Sequence, residues 1–242
     1  MDILKRIFTQ DKTKAFEEII KIYKEKWFCL VNYLYFANLV SNGIIWNKKL
    51  NNNFLDSLEI GDFLLPDGIA LNLYYKKIYG NTLSNLNWTD FSEYLLNNLD
   101  KNSYNLAFYW ASSEVIKKAS LNIEKKYWVK IFYFQDWYSE FDFSKLDNMP
   151  NNKINILMIW LWTPKQEIWV KNNIEYIKKY KLLTLTQGWT FDFWAWNEKR
   201  APKIFQVLKL EWFWRFITNP KKNFKKVLYS FYLFYFLVKW NK

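Results

Sequence analysis

Histidine is absent from the 242 residues. That absence excludes a Ser-His-Asp triad, a Cys-His pair and every His-bearing zinc site, and leaves acid and base work to carboxylates, lysine or tyrosine. A single cysteine, Cys29, excludes a disulfide framework; it sits in the apolar run WFCLVN and reads as a small buried hydrophobe of a reducing compartment. No run of 18 apolar residues offers a spanning helix, and the opening MDILKRIFTQDK lacks the continuous apolar core of a secretory signal. The expected location is the cytoplasm. Glycine is also scarce: 5 occur, where an average usage of about 7% would give roughly 17. Tryptophan runs the other way, at 15, so the excess of one resembles the shortfall of the other. An AT-rich composition disfavours glycine codons but does not add tryptophan.

What is present suffices for a full core. The chain is 51% hydrophobic, with a net charge of +12, and its length suits one large domain or one domain plus a tail. Residues 13–26 space Phe16, Ile19, Ile20 and Tyr23 on one helical face, and WFCLVN beyond them reads as a buried strand that ends at Asn32. YLYFANLVSN then looks helical up to Gly43, before a polar loop, NKKLNNN. A short strand at 61–65 leads through Pro66-Asp67-Gly68 into helical spacing from Ile69 to Ile78, and Thr89 or Asp90 is a candidate N-cap for the next helix. Strands at 105–109, 129–134, 154–161 and 182–186 alternate with helices at 112–125 and 164–179. This pattern predicts an α/β fold, a Rossmann-like, mainly parallel sheet with helices on both faces. Ligands of such sheets lie at the carboxyl ends of the strands, where Asn32, Asp67, Trp110, Trp160–Gln166 and Gly188–Asp192 are expected to converge.

Several residues stand out on chemistry alone. Asp67, between Pro66 and Gly68, reads equally as a general base or as a carboxylate holding a turn. Leu161–Glu167 follows a strand and opens a helix with Pro164 and an acid in its first turn, the kind of helix start whose free N–H groups bind anions. Asp192, between Phe191 and Phe193, needs a cation or backbone donors if buried, and its structural and ligand-binding readings are even. Lys199 and Arg200 follow, and a helix-only segment begins after Pro202. Near the end, Lys221, Lys222, Lys225 and Lys226 precede VLYSFYLFYFLV, an apolar, aromatic run of twelve residues. Twelve is too short to span. The combination reads either as a segment lying on an anionic membrane surface or as a terminal helix packed on the core. The expected division is a catalytic core at 1–202 and a helical, membrane-associating appendage at 203–242.

Taken in order, LLPDGIALNL, NWTD, FYWAS, IWLWTPKQEIWV and QGWTFDFWAWNEKRAPKIFQVLKLEWFWRF resemble the WecG/TagA/CpsF glycosyltransferases, glycosyltransferase family 26, over roughly residues 27–220. The corresponding family runs read PDG, GxD, a glycine-containing strand end, GxGxPkQExW and GgxFDxxaGxxkRAPxxxxxxgLEWxxR. Against that pattern, Trp88, Trp110, Trp137, Trp160, Trp162, Trp189 and Trp196 stand where the family has glycine, whereas Trp169 and Trp212 match a family tryptophan. UGA codons that the source reads as glycine, as some bacterial lineages do, would produce this substitution.

The resemblance implies an inverting transferase that moves an N-acetylhexosamine-type sugar, such as N-acetylmannosamine or its uronic acid, from a UDP donor. The acceptor would be an undecaprenyl-diphosphate-linked sugar in cell-surface polysaccharide or teichoic acid synthesis, at the inner face of the cell membrane. No metal or other cofactor is implied, nucleic acid is not an expected partner, and self-association is compatible. Asp67 matches the family's proposed base, and Asn32 and Gln166 its positioning residues. Asp90, Trp162, Pro164, Glu167, Asp192, Arg200 and Arg215 fall on the substrate and nucleotide side. Leu30 and Asn85 depart from a frequent family Thr and Arg, which keeps a catalytically impaired, membrane-bound member as an alternative. Dense aromatics with a charge of +12 also suit a protein that stacks bases and tracks phosphates. No GxGxxG follows the first strand, which argues against a nicotinamide enzyme.

Overall fold

The computed structural model describes residues 2–45, 49–110, 112–188, 193–195, 201–207 and 211–239. Its strands are β1 (Cys29–Tyr35), β2 (Phe63–Asp67), β3 (Tyr104–Trp110), β4 (Ile131–Gln135), β5 (Ile154–Trp160) and β6 (Leu182–Thr186). The helices of the first half are α1 (Lys12–Lys26), α2 (Phe36–Ser41), α3 (Asn52–Glu59), α4 (Ile69–Tyr79) and α5 (Trp88–Asn98). Those of the second half are α6 (Ser113–Tyr127), α7 (Lys165–Asn172), α8 (Ile174–Lys179), α9 (Lys203–Val207), α10 (Glu211–Thr218) and α11 (Pro220–Lys239).

The six strands form one parallel sheet in the order β2-β1-β6-β5-β3-β4. Successive side chains of a strand point to opposite faces, and both sets are mostly apolar here, with Asn32, Asn105, Asn155, Thr184 and Thr186 as buried polar members. Val31, Tyr33, Leu65, Phe108, Met158 and Leu185 pack with Ile19 of α1, Phe91 and Leu95 of α5 and Ile123 of α6. The alternate set, among them Leu30, Ala107, Leu157 and Leu182, packs with Val170 of α7 and Ile177 of α8. A fully buried side chain of this size contributes roughly 1.5–3 kcal/mol. Two-sided burial therefore holds the sheet between its helix layers, as the near-continuous apolar strands predict.

The chain leaves β3 toward β4 on one side and leaves β5 toward β6 on the other, although β3 and β5 are neighbours. The diverging connections open a crevice at the carboxyl ends of this pair, the usual ligand position in such sheets. Trp110 and Trp160 are the last register partners there.

Four local expectations are corrected. β1 continues past Asn32 to Tyr35 because its residues keep pairing with β2 as far as Tyr35 opposite Asp67, so the helix that follows spans only Phe36–Ser41. Part of NKKLNNN starts α3, whose N-cap Asn51 accepts a hydrogen bond from the Phe54 amide. The single helix expected at 164–179 breaks at Asn173, whose φ of −109° is not helical and whose side chain donates to the Trp169 carbonyl. The N-cap of α5 is Asn87, ahead of both Thr89 and Asp90.

Helix ends reveal an unexpected pattern. Gly80 closes α4 in the left-handed conformation (φ 77°), its amide bonded to the Lys76 carbonyl. Trp27 closes α1 in the same way (φ 62°, amide to the Tyr23 carbonyl), and Trp128 closes α6 at φ 56°. Only glycine takes this conformation without steric cost, which for other residues is about 1–2 kcal/mol.

The tail has two faces. On one, Leu233 is buried and Tyr229, Tyr232 and Phe236 pack against an apolar cluster of α2, α3 and α4. On the other, Phe224, Leu228, Phe234, Tyr235 and Val238 are exposed. Among the described residues no helix is long and apolar enough to cross a membrane.

Candidate active site

Asp67 is the last residue of β2, partly exposed, with Gly68 at φ 83° turning the chain into α4. A Cβ on Gly68 would meet nothing within 4 Å, so the demand for glycine is conformational rather than spatial. Pro66 is tolerated because β2 is an edge strand. Directly across the register lies Tyr35. Burial pushes the Tyr35 phenol well above its ordinary range, and the charges of Glu167 and Asp67 add to the rise. The two carboxylates thus act on one phenol.

Glu167 stands in the first turn of α7, fully buried. Its Oε1 accepts from Thr163 Oγ1 (2.9 Å) and from Gln166 Nε2 (2.9 Å), and Asn38 Nδ2 of α2 donates to the Thr163 hydroxyl at 3.5 Å. Glu167 Oε2 and Gln166 Oε1 have no hydrogen-bond partner among the described residues. Desolvation raises the Glu167 pKa from 4.5 to about 7, against the opposing pull of the Gln166 and Thr163 hydrogen bonds. Because the folded value lies above the unfolded one, the folded chain holds the extra proton between about pH 4.5 and 7. Stability is then complete below that window and falls as pH rises through it, by up to about 3 kcal/mol. Glu167→Gln keeps the shape and removes the titration. Its melting temperature is expected to stay nearly level from pH 5 to 8 while that of the parent falls; parallel curves in a thermal scan would contradict the burial of this proton.

The remaining expected site residues are distributed unevenly. Asn32 lies mid-strand, 1% exposed, accepting from Thr186 Oγ1 (3.2 Å) and donating to the Ser57 carbonyl (3.4 Å). It braces β1 against β6 and α3, at the level of Thr186, the last residue of β6. Asp90 is exposed and exchanges hydrogen bonds with Asn87, capping α5. Gln166 and Glu167 are adjacent and buried behind Pro164, the residue that precedes α7. Arg215 falls within α10, and Asp192 and Arg200 lie outside the described residues. Tyr35, Asn38 and Thr163 join the cluster, and no motif points to Tyr35 or Asn38. For Thr163 a signal exists, since it stands four residues before Glu167.

Trp162 follows β5 at φ 67°. Its ring centroid lies 4.7 Å from that of Trp160 and 6.5 Å from that of Trp137, and Trp137 stacks on Trp160 at 6.2 Å. Three indoles therefore occupy the crevice at β3 and β5. Trp88 sits over the end of β6 with its ring so close to Gly188 that a Cβ there would come within 2.2 Å of it. Among the described residues, no group of three or more Cys, Asp or Glu side chains is placed to hold a metal ion.

A profile described as the glycosyl transferase WecG/TagA/CpsF family matches residues 3–242. The chain belongs to that family. Two curated relatives are each called N-acetylglucosaminyldiphosphoundecaprenol N-acetyl-beta-D-mannosaminyltransferase. The one from Bacillus spizizenii is 28% identical over 171 residues, covering 68% of this chain and 64% of the relative. The one from Bacillus subtilis is 28% identical over 169 residues, covering 69% and 65%. The matched stretch thus spans just under two thirds of each relative. In this WecG/TagA/CpsF chain, Asp67 ends β2 and the Gln166–Glu167 pair follows β5, and Tyr35 of β1 feels the charge of both carboxylates.

Proposed function

We propose that this chain is an inverting glycosyltransferase that moves an N-acetylhexosamine-type sugar from a UDP donor to an undecaprenyl-diphosphate-linked sugar, for a cell-surface polymer. The observation that carries this reading is the position of Asp67 at the carboxyl end of β2, partly exposed on a turn that Gly68 requires. From β2 to β5 the sheet crosses three strand spacings, roughly 14 Å at about 4.8 Å each. In this reading the base lies by β2 and the nucleotide by β5, with the diphosphate and sugar of an extended donor between them.

In this mechanism the Asp67 carboxylate takes the proton of the acceptor hydroxyl as its oxygen attacks the anomeric carbon from the face opposite the leaving group. A new carbon–oxygen bond forms, the bond from the anomeric carbon to the β-phosphate oxygen breaks, and UDP carries away the electron pair. In this reading Gln166 and Glu167, buried behind Pro164, position the start of α7 for the substrates rather than touch them. Arg215 and the lysines at 221, 222, 225 and 226 supply positive charge for a diphosphate, although lysine lacks the bidentate fork of arginine.

The lipid part of the acceptor is supported separately. An apolar cavity of about 230 Å³ lies between α2, α4 and α11, lined by Phe36, Ile45, Tyr74, Tyr232 and Phe236. Phe36 directly follows Tyr35, the register partner of Asp67. The exposed apolar face of α11 and the lysines of its first two turns fit an anionic bilayer surface. Co-sedimentation with phosphatidylglycerol vesicles is expected at low salt and should weaken as salt rises. Phe234→Glu with Val238→Glu should reduce it, whereas binding that ignores both changes would remove α11 from this role.

A donor screen with a short-chain lipid-diphosphate acceptor tests the activity. UDP release is expected only when a UDP-N-acetylhexosamine and the acceptor are both present. Release that does not depend on the acceptor, or none with any donor from a chain that binds UDP, would contradict it.

A further inference from the structure

We infer that residues 27, 128 and 162 are glycine positions, and that the protein as made in its source carries glycine there because UGA codons are read as glycine. Among the described residues, four that are not glycine have positive φ: Trp27, Trp128, Trp162 and Lys181. Tryptophan supplies three of the four, yet only 15 of the 242 residues. Where residues besides glycine enter this region they are mostly Asn and Asp, whose short side chains bond locally, and a bulky ring there is an outlier.

Neither burial, nor a cation contact, nor functional strain accounts for the left-handed indoles at 27 and 128. Burial does not hold them in place, since Trp27 is 54% exposed, Trp128 79% and Trp162 36%. A cation above the Trp27 ring, Lys181 Nζ at 4.9 Å, is an exposed contact worth no more than the conformation costs. Functional strain gathers at active sites, but Trp27 precedes β1 and Trp128 precedes β4, so both lie at the amino edge of the sheet, away from the ligand edge. What Trp27 and Trp128 share is the left-handed helix end that Gly80 also occupies. No family motif marks either; the backbone alone identifies them. The same codon at Trp137 and Trp160 would remove the indoles that now fill the crevice.

The deciding measurement is peptide mass spectrometry of the protein isolated from its source, which reads residue identity whatever the activity proves to be. Glycine at 27, 128 and 162 is expected, encoded by UGA; tryptophan at 27 or 128, or a UGG codon at either, would overturn the inference. A recombinant pair gives an independent reading of the backbone. Trp128→Gly should raise the melting temperature by about 2–4 °C, whereas Trp128→Ala, which keeps a Cβ, should not. Equal shifts in the two variants would count against it, since loss of the indole, and not the left-handed backbone, would then be what matters.

Discussion

Asp67→Asn is expected to lower kcat by about 10²–10⁴ while leaving the affinity for UDP unchanged. The amide keeps the size of the carboxylate and its place on the Gly68 turn but cannot accept the hydroxyl proton. Nucleotide affinity should survive because β1 and β6 separate β2 from β5 in the sheet, which removes Asp67 from the crevice. Steady-state rates with calorimetric titration of UDP separate the two effects. Full activity in the variant would take Asp67 out of the role of base, and lost UDP binding would make it part of the donor site.

The second large effect concerns the crevice. Trp137, Trp160 and Trp162 lie ring against ring by the ends of β4 and β5, where the pyrophosphate of the proposed donor would approach the backbone. Glycine allows that approach and also the positive φ found at 162. Replacing all three with glycine is expected to move UDP binding from a Kd in the millimolar range to one in the micromolar range, about 4 kcal/mol. Circular dichroism would confirm that the sheet persists after three rings are removed. Unchanged affinity in a folded triple variant would place the nucleotide elsewhere.

Much of this architecture is legible in the residues. Apolar runs bounded by turn signals mark all six strands, and β6 matches at both ends, because parallel strands buried on both faces are nearly uninterrupted in composition. The end of β1 is not legible at Asn32, since a polar residue mid-strand looks like a terminus until Thr186 and Ser57 are seen to satisfy it. The asparagines that cap α3 hide it. At the site, Asp67 and the pair Gln166 and Glu167 stand out because turn and helix-start chemistry is local. Tyr35 and Asn38 do not, because their roles depend on which strand lies beside which, a fact no window of sequence contains. The tryptophans register in the sequence as a surplus, but their conformational cost at Trp27 and Trp128 becomes visible only in the backbone angles.

The most direct test of the proposed transfer follows a radiolabelled sugar from its UDP donor into a lipid-extractable product, with the anomeric configuration of the new linkage assigned by NMR. The glycine-bearing chain with Asp67 intact should yield a labelled lipid whose new linkage is inverted relative to the donor, and Asp67→Asn should yield almost none. A retained configuration, or equal product from both chains, would contradict the single displacement driven by Asp67.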